Sequence, residues 1–231
     1  MTLADSLERR ARIAVIYDSA SSNVHALARA VAEGAAAEGA DIRRRHVAEL
    51  SQEMAISAKQ YWSRHGSEIG DRPDARLEDL EWADGIAFGT PARFGNVSAQ
   101  LKAFLDLAGE LWQQGKLADK VGTAFISAQT EHGGQGSTIL ALNNTLYHWG
   151  AIVVPLGYTV REVFGGDGNP YGASFTSDRR TDGPDEETVV VARAQGARLA
   201  RVARAIGAAR DAGFLTVRAA RSAASNGEAR C

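Results

Sequence analysis

Short apolar runs, each handing over to a helical pattern, constrain the fold of this chain more than any other feature. Residues 12–17 (RIAVIY), Gly85–Gly89 (GIAFG), Val121–Ser127 (VGTAFIS) and Ala151–Gly157 (AIVVPLG) read as strands rich in Val, Ile and Phe, and Asp41–Val47 reads as a weaker, Arg-rich strand at an edge. Between them the apolar spacing turns helical. Asn23–Gly39 places Val24, Leu27, Ala28, Val31 and Ala35 on one face, and Ser98–Trp112 does the same with Leu101, Phe104, Leu105, Ala108, Leu111 and Trp112. "LEDLEWAD" predicts a short helix, Thr138–Trp149 a further one, and Asp185 to about Arg210 a long closing one. Strands that alternate with helices require a parallel sheet covered on both faces.

Five strands predict an α/β, doubly wound, flavodoxin-like sheet in the order 2-1-3-4-5. At 231 residues the chain suits one domain, residues 1–210, with residues 211–231, rich in Ala, Arg, Ser and Gly, as a mobile tail. Ala48 to Arg72 is weakly helical and reads as a surface excursion, and Thr159–Pro184 as an irregular loop. A net charge of −2 gives no sign of a nucleic-acid or membrane partner, and no run is long enough to span a membrane. The first ten residues, MTLADSLERR, lack the apolar core of a signal peptide, and the single cysteine, Cys231, excludes an internal disulfide and a cysteine-based metal site. The expected address is the cytoplasm.

Ligands of such sheets bind beyond the carboxyl ends of the strands. Three specialised loops leave strands one, three and four there. Ser19, Ala20, Ser21, Ser22, Asn23 and Val24 surround the start of a helix with hydroxyl and amide donors and no Lys or Arg. That set suits a phosphate on a helix amino terminus; it suits a simple Ser/Asn helix cap equally well. The second loop, TPARFGNVS, sets Arg93 beside Phe94, a pairing fit for a flat ring with carbonyl edges, or else a proline turn over a core ring. The third, SAQTEHGGQGS, offers the backbone and side chains of Ser127, Ala128, Gln129, Thr130, Glu131, His132 and Gly133 at the same edge. His132 alone reads as a solvated loop residue.

"GTPARFGNVSAQLKAFLDLAGELWQQGKL", "FISAQTEHGGQGSTI", "HWGAIVVPLGY" and "GNPYGAS" together resemble the WrbA group of flavodoxin-like NAD(P)H:quinone oxidoreductases, over about Arg12 to Arg204. The resemblance implies FMN as cofactor, NADH or NADPH as reductant, a quinone as acceptor, and a homotetramer that completes the active sites. It puts the FMN phosphate on Ser19–Val24, the ring beside Ala92, Arg93 and Phe94, and the ring's other edge on Ser127–Gly133. Trp112 matches a substrate-lining tryptophan, Ser21 a nicotinamide-contacting position, and Trp149 a position that lines the flavin site. The chemistry is then centred on the flavin, with no catalytic side chain and no metal.

Three positions depart from that pattern. Ser22 stands where the family carries a glycine, Ser21 where it carries an aromatic residue, and Trp149 where it carries a second histidine. A flavodoxin-type electron carrier with little NAD(P)H oxidation of its own is the competing reading, and a flavin-free interaction scaffold is a blander one.

Overall fold

The structure, a computed structural model, describes residues 9–19, 22–51, 73–165, 167–178 and 183–215. Most of the weakly helical excursion and most of the expected tail, residues 216–231, lie outside them. β1 (Arg12–Tyr17) occupies the middle of a parallel sheet, between β2 (Asp41–His46) and β3 (Gly85–Pro91). β4 (Val121–Ala128) follows β3, β5 (Ile152–Val153) follows β4, and the order is β2-β1-β3-β4-β5, as the strand count predicts. β1, β3 and β4 are buried along almost their whole length because helices cover both of their faces.

One face carries α1 (Ser22–Ala37) and α6 (Glu186–Asp211), which pack on Ile13, Val15, Leu27, Val31, Leu199 and Ala203. The two helices touch backbone to backbone at Gly34 and Gly196, where any Cβ would strike a carbonyl of the opposite helix. The other face carries α2 (Leu77–Trp82), α3 (Ala99–Asp106), α4 (Gly109–Gln113) and α5 (Gln135–His148) over Ile16, Phe88, Leu101, Leu111, Leu146 and Trp149. The Arg-rich edge strand has a local cause. Arg43 and Arg45 reach the buried Asp79 of α2 at 3.1 Å each, and Arg43 lies 4.1 Å from the ring centre of Trp82.

Three expectations change. The helix expected over Ser98–Trp112 breaks at Leu107–Ala108, because Leu107 points to solvent and Gly109 weakens any continuation. α5 begins three residues earlier than its apolar spacing suggests. Gly134 at φ 87° turns the chain into it, at a point where a Cβ would lie 2.8 Å from Gly95 Cα. The fifth strand is divided. β5 keeps only Ile152–Val153, since Pro155 has no N–H to extend the ladder. The chain leaves the sheet, forms a 3₁₀ turn at Arg161–Phe164, and returns as β6 (Ser174–Thr176), pairing with the other end of β4. Among the described residues no helix is long and apolar enough to cross a membrane.

At the amino edge of the sheet Asp84 is gripped by Arg9, Arg12 and Arg210 at 2.9, 3.2 and 2.7 Å. Beside it the buried Lys120 donates to the carbonyls of Glu81 and Ala83, pinning the end of α2. Burial, followed by the Arg210 charge, pushes the Lys120 ammonium down to about 8. A depressed lysine binds its proton less well folded than unfolded, so stability should rise between about pH 8 and pH 10.5, by on the order of 3 kcal/mol. Urea unfolding across that window checks it, and the rise should vanish in Lys120→Met.

Candidate functional site

The carboxyl ends of β1, β3 and β4 lie side by side, and their three loops meet there. In the first, the Ser19 hydroxyl accepts at 3.1 Å from the amide of His25, in the first turn of α1. The Ser19 amide donates to His46 Nε2 at 3.3 Å, and the Tyr17 hydroxyl sits 2.7 Å from His25 Nδ1. Asn23, in the first turn of α1, is buried with its Oδ1 unbonded among the described residues, while Val24 is core. No acidic residue stands in that turn to oppose an anion. Ala20 and Ser21 lie outside the described residues.

The second loop is a tight reversal. The amides of Arg93 and Asn96 exchange bonds with each other's carbonyls at 2.8 and 3.0 Å, and Phe94 (φ 54°) and Gly95 (φ 76°) form its tip. Positive φ at both central residues defines a type I′ turn. Phe94 therefore holds a strained backbone while its ring is fully exposed, at 102% of the reference area. Ala92 donates to the Ser127 carbonyl, which ties this loop to the end of β4. Behind it Thr90 and Ser98 are buried, with the Ser98 hydroxyl capping α3.

In the third loop Ser127 and Ala128 are buried, and Gln129, Thr130, Glu131 and His132 are exposed. Gly133 bonds back to the Thr130 carbonyl, at a place where a Cβ would lie 2.6 Å from that of Ala128. Gln135 braces the loop from α5, donating to the Thr130 carbonyl and to the Thr176 hydroxyl at 3.0 and 2.7 Å. The returning strand β6 thus stiffens the loop from the far side. The Gly95–Gly134 contact joins the second and third loops, and the bond from the Asp18 amide to the Gly89 carbonyl joins the first and second.

The described residues of the loop set, Ser19, Ser22–Val24, Ala92–Phe94 and Ser127–Gly133, therefore share one edge. Trp112 and Trp149 do not. α4 and α5 run back toward the starts of β4 and β5, so both tryptophans stand at the opposite edge. Trp149 is 8% exposed and meets Phe88 edge-on, with centroids 6.0 Å apart; Trp112 is 52% exposed and donates from Nε1 to the His148 carbonyl at 2.7 Å. Within one chain neither reaches the loops.

Asp18, His46 and His25 belong to this region and carry no role in the sequence reading. The parallel register aligns Tyr17 with His46 and so sets Asp18 beside the end of β2. Asp18 is 1% exposed. Burial pushes its carboxyl above the usual range, against the Ser98 hydrogen bond and the His46 charge, which pull it down.

Residues 11–164, which contain all three loops, match the family model described as NADPH-dependent FMN reductase. The chain is 40% identical over 167 residues to an NAD(P)H dehydrogenase (quinone) of Deinococcus radiodurans, covering 72% of this chain and 84% of that one. It is 42% identical over 198 residues to a protein of the same description from Sinorhizobium fredii, covering 84% and 97%. Its fold is similar to that of a flavodoxin, WrbA-like protein from Agrobacterium tumefaciens, with a TM-score of 0.59 at 26% identity over 84% of this chain and 98% of that one.

The burial of Trp149 has a direct consequence. Trp149→Ala should cost about 3–5 kcal/mol of folding stability, whereas half-exposed Trp112→Ala should cost under about 1.5 kcal/mol. Equilibrium urea denaturation of the two variants distinguishes them; equal losses would contradict the packing described.

Proposed function

The chain belongs to the NADPH-dependent FMN reductase family, and from that premise we propose that it is an FMN-dependent oxidoreductase passing two electrons from NADH or NADPH to a quinone. The observation that carries this reading is the meeting of the three loops at one sheet edge, inside the stretch that matches the family. Those residues suit FMN. Neutral donors around the start of α1 fit a terminal phosphate, and the uncovered Phe94 ring fits a planar heterocycle.

In this reading Ser19, Ala20, Ser21, Ser22, Asn23 and Val24 hold the phosphate, by hydroxyls, amides and the positive end of the helix dipole. Ala92, Arg93 and Phe94 flank the ring system. Ser127–Gly133 hold its opposite edge, where backbone N–H groups of a loop stiffened by Gln135 stabilise negative charge. FMN, when bound, supplies a two-electron redox centre that accepts hydride from a nicotinamide and passes the pair to an acceptor. The chain contributes binding, orientation and exclusion of water. No side chain needs to act as nucleophile.

Trp112 keeps its proposed substrate role, and Trp149 its place near the cofactor, only if a second copy brings this edge against the loops. We therefore assign a homo-oligomer, with the resemblance favouring a tetramer. Exposed Leu107, Trp112, Tyr147, Tyr158 and Phe164 support an association surface. The use of a soluble nicotinamide reductant favours the cytoplasm. An electron carrier remains the alternative from another class.

Anaerobic stopped-flow mixing separates the readings. FMN-loaded protein should bleach on mixing with NADH or NADPH, and a benzoquinone should restore its colour within the turnover time. Slow bleaching with both nucleotides would leave a carrier. Light scattering on the same sample should report an assembly larger than the monomer; a monomer with full activity would remove the role of the tryptophan edge.

A further inference from the structure

The ends of β1 and β2 bring a second group of polar side chains together behind the first loop. Asp18 follows Tyr17 at the end of β1, His46 closes β2 in register with Tyr17, and Glu49 lies three residues further on. One ligand atom from each of the three falls within 4.8 Å of the others. Asp18 is 1% exposed, and its Oδ1 has no hydrogen-bond partner among the described residues. A carboxylate oxygen buried without a donor is costly, and native structures rarely leave one. Ser98 lowers the pKa of the Asp18 carboxyl by a hydrogen bond, and Gln100 donates to Glu49 at Oε2, at 3.1 Å. Arg93, exposed on the neighbouring loop, acts on Asp18 only through space.

We propose that Asp18, His46 and Glu49 form a binding site for one divalent transition-metal cation. One imidazole and two carboxylates suit Mn²⁺, Fe²⁺, Co²⁺ or Zn²⁺, whereas Mg²⁺ and Ca²⁺ favour all-oxygen sets. Ligand atoms around such an ion, with bonds of about 2.1 Å, lie roughly 3 Å apart. The group must therefore contract by less than about 2 Å, and Glu49, partly exposed at its lip, has room to move.

The Ser19 amide points to the lone pair of His46 Nε2 at 3.3 Å, the weak end of the hydrogen-bond range. A cation bound through His46 takes that lone pair and releases the Ser19 amide. The site does not depend on the flavin reading, since metal and flavin are measured by separate absorption bands.

The test uses full-length protein with Cys231→Ser, which removes the only thiol, stripped with chelator and titrated with Co²⁺. Ligand-field absorption and equilibrium dialysis should report about one ion per chain with a Kd on the order of micromolar, and a large excess of Mg²⁺ should not displace it. Asp18→Asn and Glu49→Gln should each weaken binding at least about tenfold, and surface Asp106→Asn should leave it unchanged. Glu49→Gln decides the matter if Asp18→Asn does not fold. Wild-type binding only at millimolar Co²⁺, or equal affinity in the folded ligand variants, would overturn the site.

Discussion

A parallel strand buried on both faces cannot be followed by a tight turn; the chain must climb over the sheet in a helix before the next strand begins. The crossovers that follow β1, β3 and β4 therefore leave a carboxyl end and return to an amino end. The loops after β1, β3 and β4 are gathered on one edge by that rule alone, and so are the helix amino termini of α1, α3 and α5. The other edge receives the helix ends and is closed by ions, with Asp84, three arginines and Lys120 tying α2 and α6 to the sheet. One edge is free to bind because the other does the fastening.

Much of this can be read from residue patterns. Buried strands of Val, Ile and Phe followed by helical spacing lead to the sheet order, and hydroxyl-rich or glycine-containing turns after those strands lead to the loop set. What could not be read has physical causes. The break at Leu107 turns on one leucine facing solvent, which periodicity alone cannot reveal. The divided fifth strand follows from Pro155, but the return of Ser174–Thr176 to the sheet rests on long-range pairing with β4. The grouping of Asp18 with His46 needs the register of β1 against β2, known only once the order of strands is assigned.

Trp149 is the instructive disagreement. Family resemblance puts it beside the cofactor, yet α5 spans 14 residues, roughly 21 Å, and carries it back across the sheet to pack on Phe88. Resemblance and geometry meet only if the site is built from two chains. The same reasoning separates the roles of the two tryptophans. Trp149 holds its own core together, while Trp112, anchored by one bond to the His148 carbonyl, keeps a free face.

In the proposed function the cofactor is gripped chiefly by its terminal phosphate, through neutral donors at the start of α1, so that its ring stays open to substrates. Fluorescence titration of the flavin-free protein with FMN, riboflavin and FAD tests this without any mutation. The phosphate should be worth about 3 kcal/mol or more, so FMN should bind at least roughly a hundredfold tighter than riboflavin. FAD should also bind less tightly than FMN, since its pyrophosphate has no Gly-x-Gly turn to receive it. Equal affinities for FMN and riboflavin would contradict the claim and return Ser19 and its neighbours to the status of a helix cap.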